Sequence, residues 1–330
     1  WNNTGGYHNI NATQDTFPSN PESFGNTVDT GWTFQWIFTM AGTYNYQCDP
    51  HAPGMSGVII ANALPQPLTY VPDSTFEAYL EANGMGNGIA NDDSVITAHI
   101  NTVDTLIVSF LNISDLTGIE DFTALTDLIC SHNLLTSLDV SNNTSLATLL
   151  CGFNQLISLD VSANTSLTVL GCSSNQLTNL NVSTNEDLIE LGCFINQLTI
   201  LDVSNNTSLT TLYCDNNLLT SLDVSQNTAL ATLICSHNPL ISLDVSANTS
   251  LTVLGCESNQ LASLDVSQNI ALTSLGFGGN QLTSLDVTQN TALHTLYGPG
   301  NLLTSLDLRN GNNINFTYFD ATINPLLTCI

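Results

Sequence analysis

The chain has 330 residues, with 28 acidic side chains against a single basic one (Arg309) and a formal net charge of −27. Such a surface offers no counter-charge to nucleic acid or to an anionic membrane, which argues against both as partners. Its 42% hydrophobic residues, arranged in strict period, mark a packed protein rather than a disordered acidic chain. No apolar run approaches the ~18 residues needed to span a bilayer.

Residues 1–62 contain no repeat and are rich in aromatics. Thr33–Thr39 alternates like a sandwich strand, and Gly42–Gln47 reads as a second strand that runs into Cys48-Asp-Pro-His-Ala-Pro-Gly-Met55. The spacing is C-x2-H-x3-M, and Gly6-Tyr-His-Asn-Ile10 supplies another His upstream. This set resembles the cupredoxins, the blue copper proteins of the plastocyanin, pseudoazurin and amicyanin type. The resemblance implies one type 1 copper held by His8, Cys48, His51 and Met55, with Asn9 tying the two ligand loops together near the sulfur.

The chemistry agrees with that implication. Two imidazoles and a thiolate form a trigonal site, and a weak axial thioether tunes its potential. Zinc is the alternative metal, but thioether is a poor zinc ligand. The resemblance also implies that the unit is incomplete, since the family places further strands before Trp1. A copper oxidase or nitrite reductase needs additional His-rich centres, and only His8 and His51 fall in this unit. The expectation is an electron carrier serving a redox partner protein, not an enzyme.

Residues 63–72 hold three prolines and read as a linker. Residues 73–124 read as a cap followed by a first, atypical repeat. Ser74-Thr-Phe-Glu77 resembles a capping box that opens a short helix, and Gly84 closes it. The glycines at 84, 86 and 88 lack the preceding strand and following Lys of a phosphate loop. Asn91-Asp-Asp93 reads as a solvated turn, with calcium as the alternative.

Residues 125–308 repeat the template L-x-x-L-x-C-x-x-N-x-L-x-x-L-D-V-S-x-N-x-x with a period of 21, and its marker Asn recurs from Asn133 to Asn301 without a slip. A period of 20–29 residues with L-x-x-L-x-L-x-x-N-x-L is the leucine-rich-repeat signature, here with Cys in place of the third Leu. One turn cannot bury its apolar face alone, so turns must stack into a solenoid. Cys130, Cys151, Cys172, Cys193, Cys214, Cys235 and Cys256 are expected to stack inward as inert small hydrophobes. Asp139, Asp160, Asp202, Asp223, Asp244, Asp265, Asp286 and Asp307 form a wet column that caps turns, with calcium bridging as its functional alternative.

The concave strand face should expose Ile129, Leu150, Val169, Tyr213, Ile234, Val253 and Tyr297, with glycines between them and Phe153 and Phe194 just beyond. This is the expected binding face for a protein or glycan ligand. Residues 309–330 break the period and resemble the closing repeat of secreted bacterial leucine-rich proteins, which implies a location outside the cell or on its surface. The whole reads as a partial cupredoxin β-sandwich followed by a leucine-rich-repeat solenoid, with parallel strands on the concave face and a short helical N-terminal cap. The competing class is a surface adhesion protein whose copper unit is structural or degenerate.

Overall fold

The computed structural model describes residues 1–328 and divides into two compact units, Trp1–Gln66 and Pro67–Ile330. Among the described residues no helix is long and apolar enough to cross a membrane.

The first unit is a four-stranded antiparallel sheet. Asn11–Ala12 lies between Phe24–Gly25 and Gly42–Gln47, and Gly42–Gln47 pairs along its full length with Ser56–Ala61. Ile10, Ala12, Phe24 and Tyr44 are buried, with Trp32, Phe34, Phe38 and Tyr46 packed against them. Thr33–Thr39, expected to be a strand, forms only an isolated bridge from Thr33 to Asn2. Its alternation is real, since Phe34 and Phe38 turn inward. The backbone, however, finds partners only at its two ends: Phe34 N–H bonds Trp1 and Thr39 N–H bonds the Glu22 carboxylate. Apolar patterning without a neighbouring ladder does not make a strand.

The second unit begins earlier than its linker-like prolines suggest. Leu68–Tyr70 is a strand paired with Ser94–Ile96, and Thr69 is buried with its hydroxyl donating to Asp121. Pro67 and Pro72 therefore bracket a structured segment. The helix Ser74–Ala82 follows, but its cap differs from the expected one. Asp73, not Ser74, accepts the Thr75 and Phe76 N–H groups. Glu77 turns away from the helix start and accepts from Asp92 N–H in the following loop. Asp73 also takes the Ser114 N–H and hydroxyl, so the same carboxylate fastens the cap to the first repeat.

The solenoid is an eleven-stranded parallel sheet in register from Thr105–Ile107 to Tyr318–Asp320. Each turn contributes three strand residues: up to Thr295–Tyr297 the middle one is a Leu pointing into the core with its two neighbours on the outward face, while in Tyr318–Asp320 it is the exposed Phe319. Leu128, Leu149, Leu170, Leu191, Leu212, Leu233, Leu254, Leu275 and Leu296 are all buried in one continuous core. Each contributes about 1.5–3 kcal/mol of burial.

The marker Asn residues carry the turn. Asn175 donates to the carbonyls of Cys151 and Cys172 and accepts from Leu156 N–H, so one amide closes its own turn and ties it to the one before. The pattern extends past the period break to Asn324, which bonds Gly298 and Leu303. The residue before each marker has positive φ, including Phe153 (55°), Ile195 (52°) and His237 (54°). This corner was not visible in the sequence, because Phe153, Ser174, Ile195 and Ser258 in that column are not residue types that favour it, although His132, Asn216, His237, Gly279 and Gly300 are.

The seven column cysteines are buried free thiols. Burial pushes Cys130, Cys172 and Cys235 up to about 12 and raises the others too. Alkylation needs thiolate. Native protein at pH 8 should therefore show almost no reaction from these seven, and denatured protein should show all of them. Rapid labelling of the native column would contradict the burial.

The aspartates of the second column each accept the N–H of the residue two positions on, for example Ser162 onto Asp160 at 2.9 Å. Bonds from the serine hydroxyl and N–H hold Asp139, Asp160, Asp202 and Asp244 below the ordinary carboxylate value; the same two bonds lower Asp223 and Asp265. A folded value below the unfolded one, ~3.9 for Asp, gives stability that is complete above that pH and is lost as pH falls through the lowered values. The urea midpoint of the chain should hold from pH 7 to about 5 and drop below about 4. A midpoint independent of pH down to 2 would show that these caps do not act in solution.

Candidate metal centre

His8 and Cys48 are brought together by the first unit's sheet. His8 exchanges backbone hydrogen bonds with Asp29, and its carbonyl accepts from the Trp32 indole at 2.9 Å. Its ring sits over Gly6 so closely that a Cβ there would stand 2.8 Å from Nε2, and Gly6 has φ of 81°. Only glycine meets both demands at that position. Cys48 directly follows the strand Gly42–Gln47, and the loop behind it folds on itself. His51 N–H bonds the Cys48 carbonyl, Met55 N–H bonds the His51 carbonyl, and Cys48 N–H bonds the Met55 carbonyl.

Within this frame the Cys48 Sγ lies 3.5 Å from His8 Nδ1 and 3.3 Å from His51 Nδ1, and the two imidazoles are 4.7 Å apart, centroid to centroid. Ligand atoms of His8, Cys48 and His51 all fall within 4.8 Å of one another. Three donors at such separations fit around one first-row ion with bonds of ~2.0–2.3 Å. Among the described residues they are the one such cluster of His, Cys, Asp and Glu. Met55 lines the same hollow of about 460 Å³ as His8 and Cys48 and is 48% exposed.

Burial is graded across the set: Cys48 is buried, His8 half-buried and His51 exposed. Asn9 follows His8 and reaches across to the second ligand loop. Its side chain donates to the Asp49 carboxylate at 2.7 Å and accepts Asp49 N–H at 2.8 Å. Asn11 and Gln47 bond the same carboxylate, and hydrogen bonds from Gln47, Asn9 and Asn11 hold it below the usual range. Sequence reasoning did not single out Asp49. Its place directly after the Cys, ahead of Pro50, was the available signal.

Residues 1–62 match the family of copper binding proteins of the plastocyanin/azurin type. Two imidazoles, a thiol and a neighbouring thioether are donor types that suit copper. No curated protein matches the chain significantly.

Among solved structures, the functional domain of InlJ from Listeria monocytogenes, described as including a cysteine ladder, is 32% identical over 80% of this chain and 66% of that one, with a TM-score of 0.47. The leucine-rich-repeat protein LIC12759 of Leptospira interrogans is 25% identical over 62% of each chain, with a TM-score of 0.54. The APL1 leucine-rich repeat domain is 23% identical over 65% of this chain and 60% of that one, with a TM-score of 0.56. The chain thus spans no more than about two thirds of these structures' own length. The likeness establishes the leucine-rich-repeat fold of the second unit.

On the sheet of that unit the residues expected to be exposed are half-buried, apart from the exposed Tyr297. Ile129, Leu150, Tyr213, Ile234 and Tyr297 form one outward row on the sheet, and Val169 and Val253 lie in the parallel row beside it. Phe194 is half-buried beyond the strands. Phe153 stacks on His132, which stacks in turn on Phe110, each at 4.1 Å between centroids. His132 is thus packed between two aromatic rings.

Proposed function

We propose that the first unit binds one copper ion through His8, Cys48 and His51, with Met55 as axial ligand, and passes single electrons to a partner protein. The observation that carries this reading is the graded burial of the donors. The sulfur is shielded from water while the His51 ring stays at the surface, where a partner can approach. When bound, copper supplies a one-electron couple. The chain's own residues fix the donor geometry, and the Asn9–Asp49 bridge holds the two loops at constant separation, which keeps reorganisation small.

The solenoid is the interaction module. It is acidic, patterned on its sheet face, and built to hold that face rigid for an uncharged or cationic protein or glycan. An extracellular or surface location fits a fold and composition of this kind.

Voltammetry of the copper-loaded chain tests the first part. A reversible one-electron wave is expected, and Met55→Leu should keep the copper bound while moving the midpoint potential, because the axial ligand tunes and does not anchor. Copper that cannot be cycled would refute electron transfer and leave a structural or storage role.

A further inference from the structure

The solenoid carries a longer period than its 21-residue turn. Residues 146–229 and 230–313 are the same four turns written twice. LATLLC, LTVLGC, LIELGC and LTTLYC are followed by LATLIC, LTVLGC, LTSLGF and LHTLYG. On the sheet face this gives an outward row Leu150, Gly171, Gly192, Tyr213 and then Ile234, Gly255, Gly276, Tyr297, each residue in register with the next.

The glycines are not there for the backbone. None of these four has positive φ, and all sit in ordinary strand conformation, where Gly costs about 0.5–1 kcal/mol relative to Ala. Glycine in a strand interior marks space reserved for a close approach. The structure shows what that space holds in the free chain. A Cβ on Gly171 would stand 2.9 Å from Leu150 Cδ2, and one on Gly255 would stand 2.9 Å from Ile234 Cδ1. At Gly276 it would collide with the Glu257 carboxylate. Each pair of glycines is thus the floor of a trough with a branched side chain at one end and a tyrosine at the other.

The rims differ between the copies: Gly152, Ser173, Phe194 and Asp215 correspond to Ser236, Glu257, Gly278 and Pro299. A carboxylate stands near each trough, in a different place in the two copies: Glu190 two residues before Gly192, Glu257 two residues after Gly255. Glu190 shares its strand and its outward face with Gly192, while Glu257 lines a hollow of about 510 Å³ with Ile234, His237, Gly255 and Tyr297 and accepts from the Ser236 hydroxyl.

We propose that the two troughs are paired subsites for one partner, an extended polypeptide segment that seats a cationic side chain in each. This rests on reading the sheet face as an interaction surface. A tyrosine ring beside a carboxylate attracts an ammonium or guanidinium group, and a body of charge −27 draws a basic segment in. The troughs lie four strand spacings apart, about 19 Å at ~4.8 Å per strand, which an extended chain covers in about six residues at ~3.3 Å each. Side chains six residues apart project from the same side of an extended chain, so both can face the sheet.

The test measures binding of the full chain to Ser/Thr peptides carrying two arginines six residues apart, two arginines five apart, or one. The six-residue spacing should bind at least tenfold tighter than the others, as expected when the second contact becomes intramolecular. Filling either floor by Gly192→Thr or Gly276→Thr, or removing either ring by Tyr213→Ala or Tyr297→Ala, should reduce it to single-arginine affinity while cooperative unfolding is retained. Affinity independent of spacing, or no response to any of these substitutions, overturns the paired troughs. Spacing-independent binding still lost on Tyr213→Ala and Tyr297→Ala would refute the pairing and leave the face intact as an interaction surface. Binding of a neutral oligosaccharide in place of the arginine peptides would refute the cationic partner.

Discussion

Replacing Cys48 by Ser should turn the copper-loaded chain colourless. A thiolate bound to Cu(II) gives an intense charge-transfer absorption in the visible, and Cys48 is the one sulfur in the trigonal arrangement with His8 and His51. Serine keeps the size but removes the soft donor that selects copper, so affinity should fall well beyond the 10–100-fold typical of losing an outer partner. Asn9→Ala is the control for that scale. It breaks two bonds to Asp49 without touching a donor atom, and should keep the colour while weakening copper within that 10–100-fold range. Colour that survives Cys48→Ser would refute the assigned centre.

The second large effect should come from a residue that contacts no ligand. Asn196→Ala removes an amide that donates to the Cys172 and Cys193 carbonyls and accepts from Leu177 N–H, all of it buried. Each buried polar group left without a partner costs about 1–3 kcal/mol. A total loss of about 3–5 kcal/mol is therefore expected, because some of the freed groups regain water at the corner. Because every turn leans on the next, the loss should appear as a lower urea midpoint for the solenoid as a whole. A change below about 1 kcal/mol would mean that the ladder is not what closes the turns.

The sequence made the solenoid legible because its constraint is periodic. A buried Leu every turn and an Asn with three fixed partners leave the same letters at the same interval, and the register follows without error. The grouping of His8, Cys48 and His51 was legible for another reason: Cys48 and His51 share one short loop, and His8 stands beside a recognisable Asn. What stayed hidden was whatever depends on partners distant in the chain. Thr33–Thr39 has strand-like alternation but no ladder, and Asp73 outcompeted Ser74 as the cap because it could also reach Ser114. Asp49 gains its importance from Asn9 and Asn11, some 40 residues away, which no local pattern signals.

The left-handed corner before each marker Asn has a bearing on how such a protein changes over time. Phe, Ser, Ile, Asn, His and Gly all occupy it with φ between 52° and 71° across the repeats from His132 to Gly300. Bulky residues there carry a backbone penalty of about 1–2 kcal/mol that the Asn ladder enforces. The corner therefore accepts residues of very different size, and each turn offers one side chain at a fixed height and angle beside those of its neighbours. The Phe110, His132, Phe153 stack is one pattern written along that line, and the Gly279, Gly300 end is another. The lattice behaves like a ruler whose marks are fixed and whose labels are open to variation.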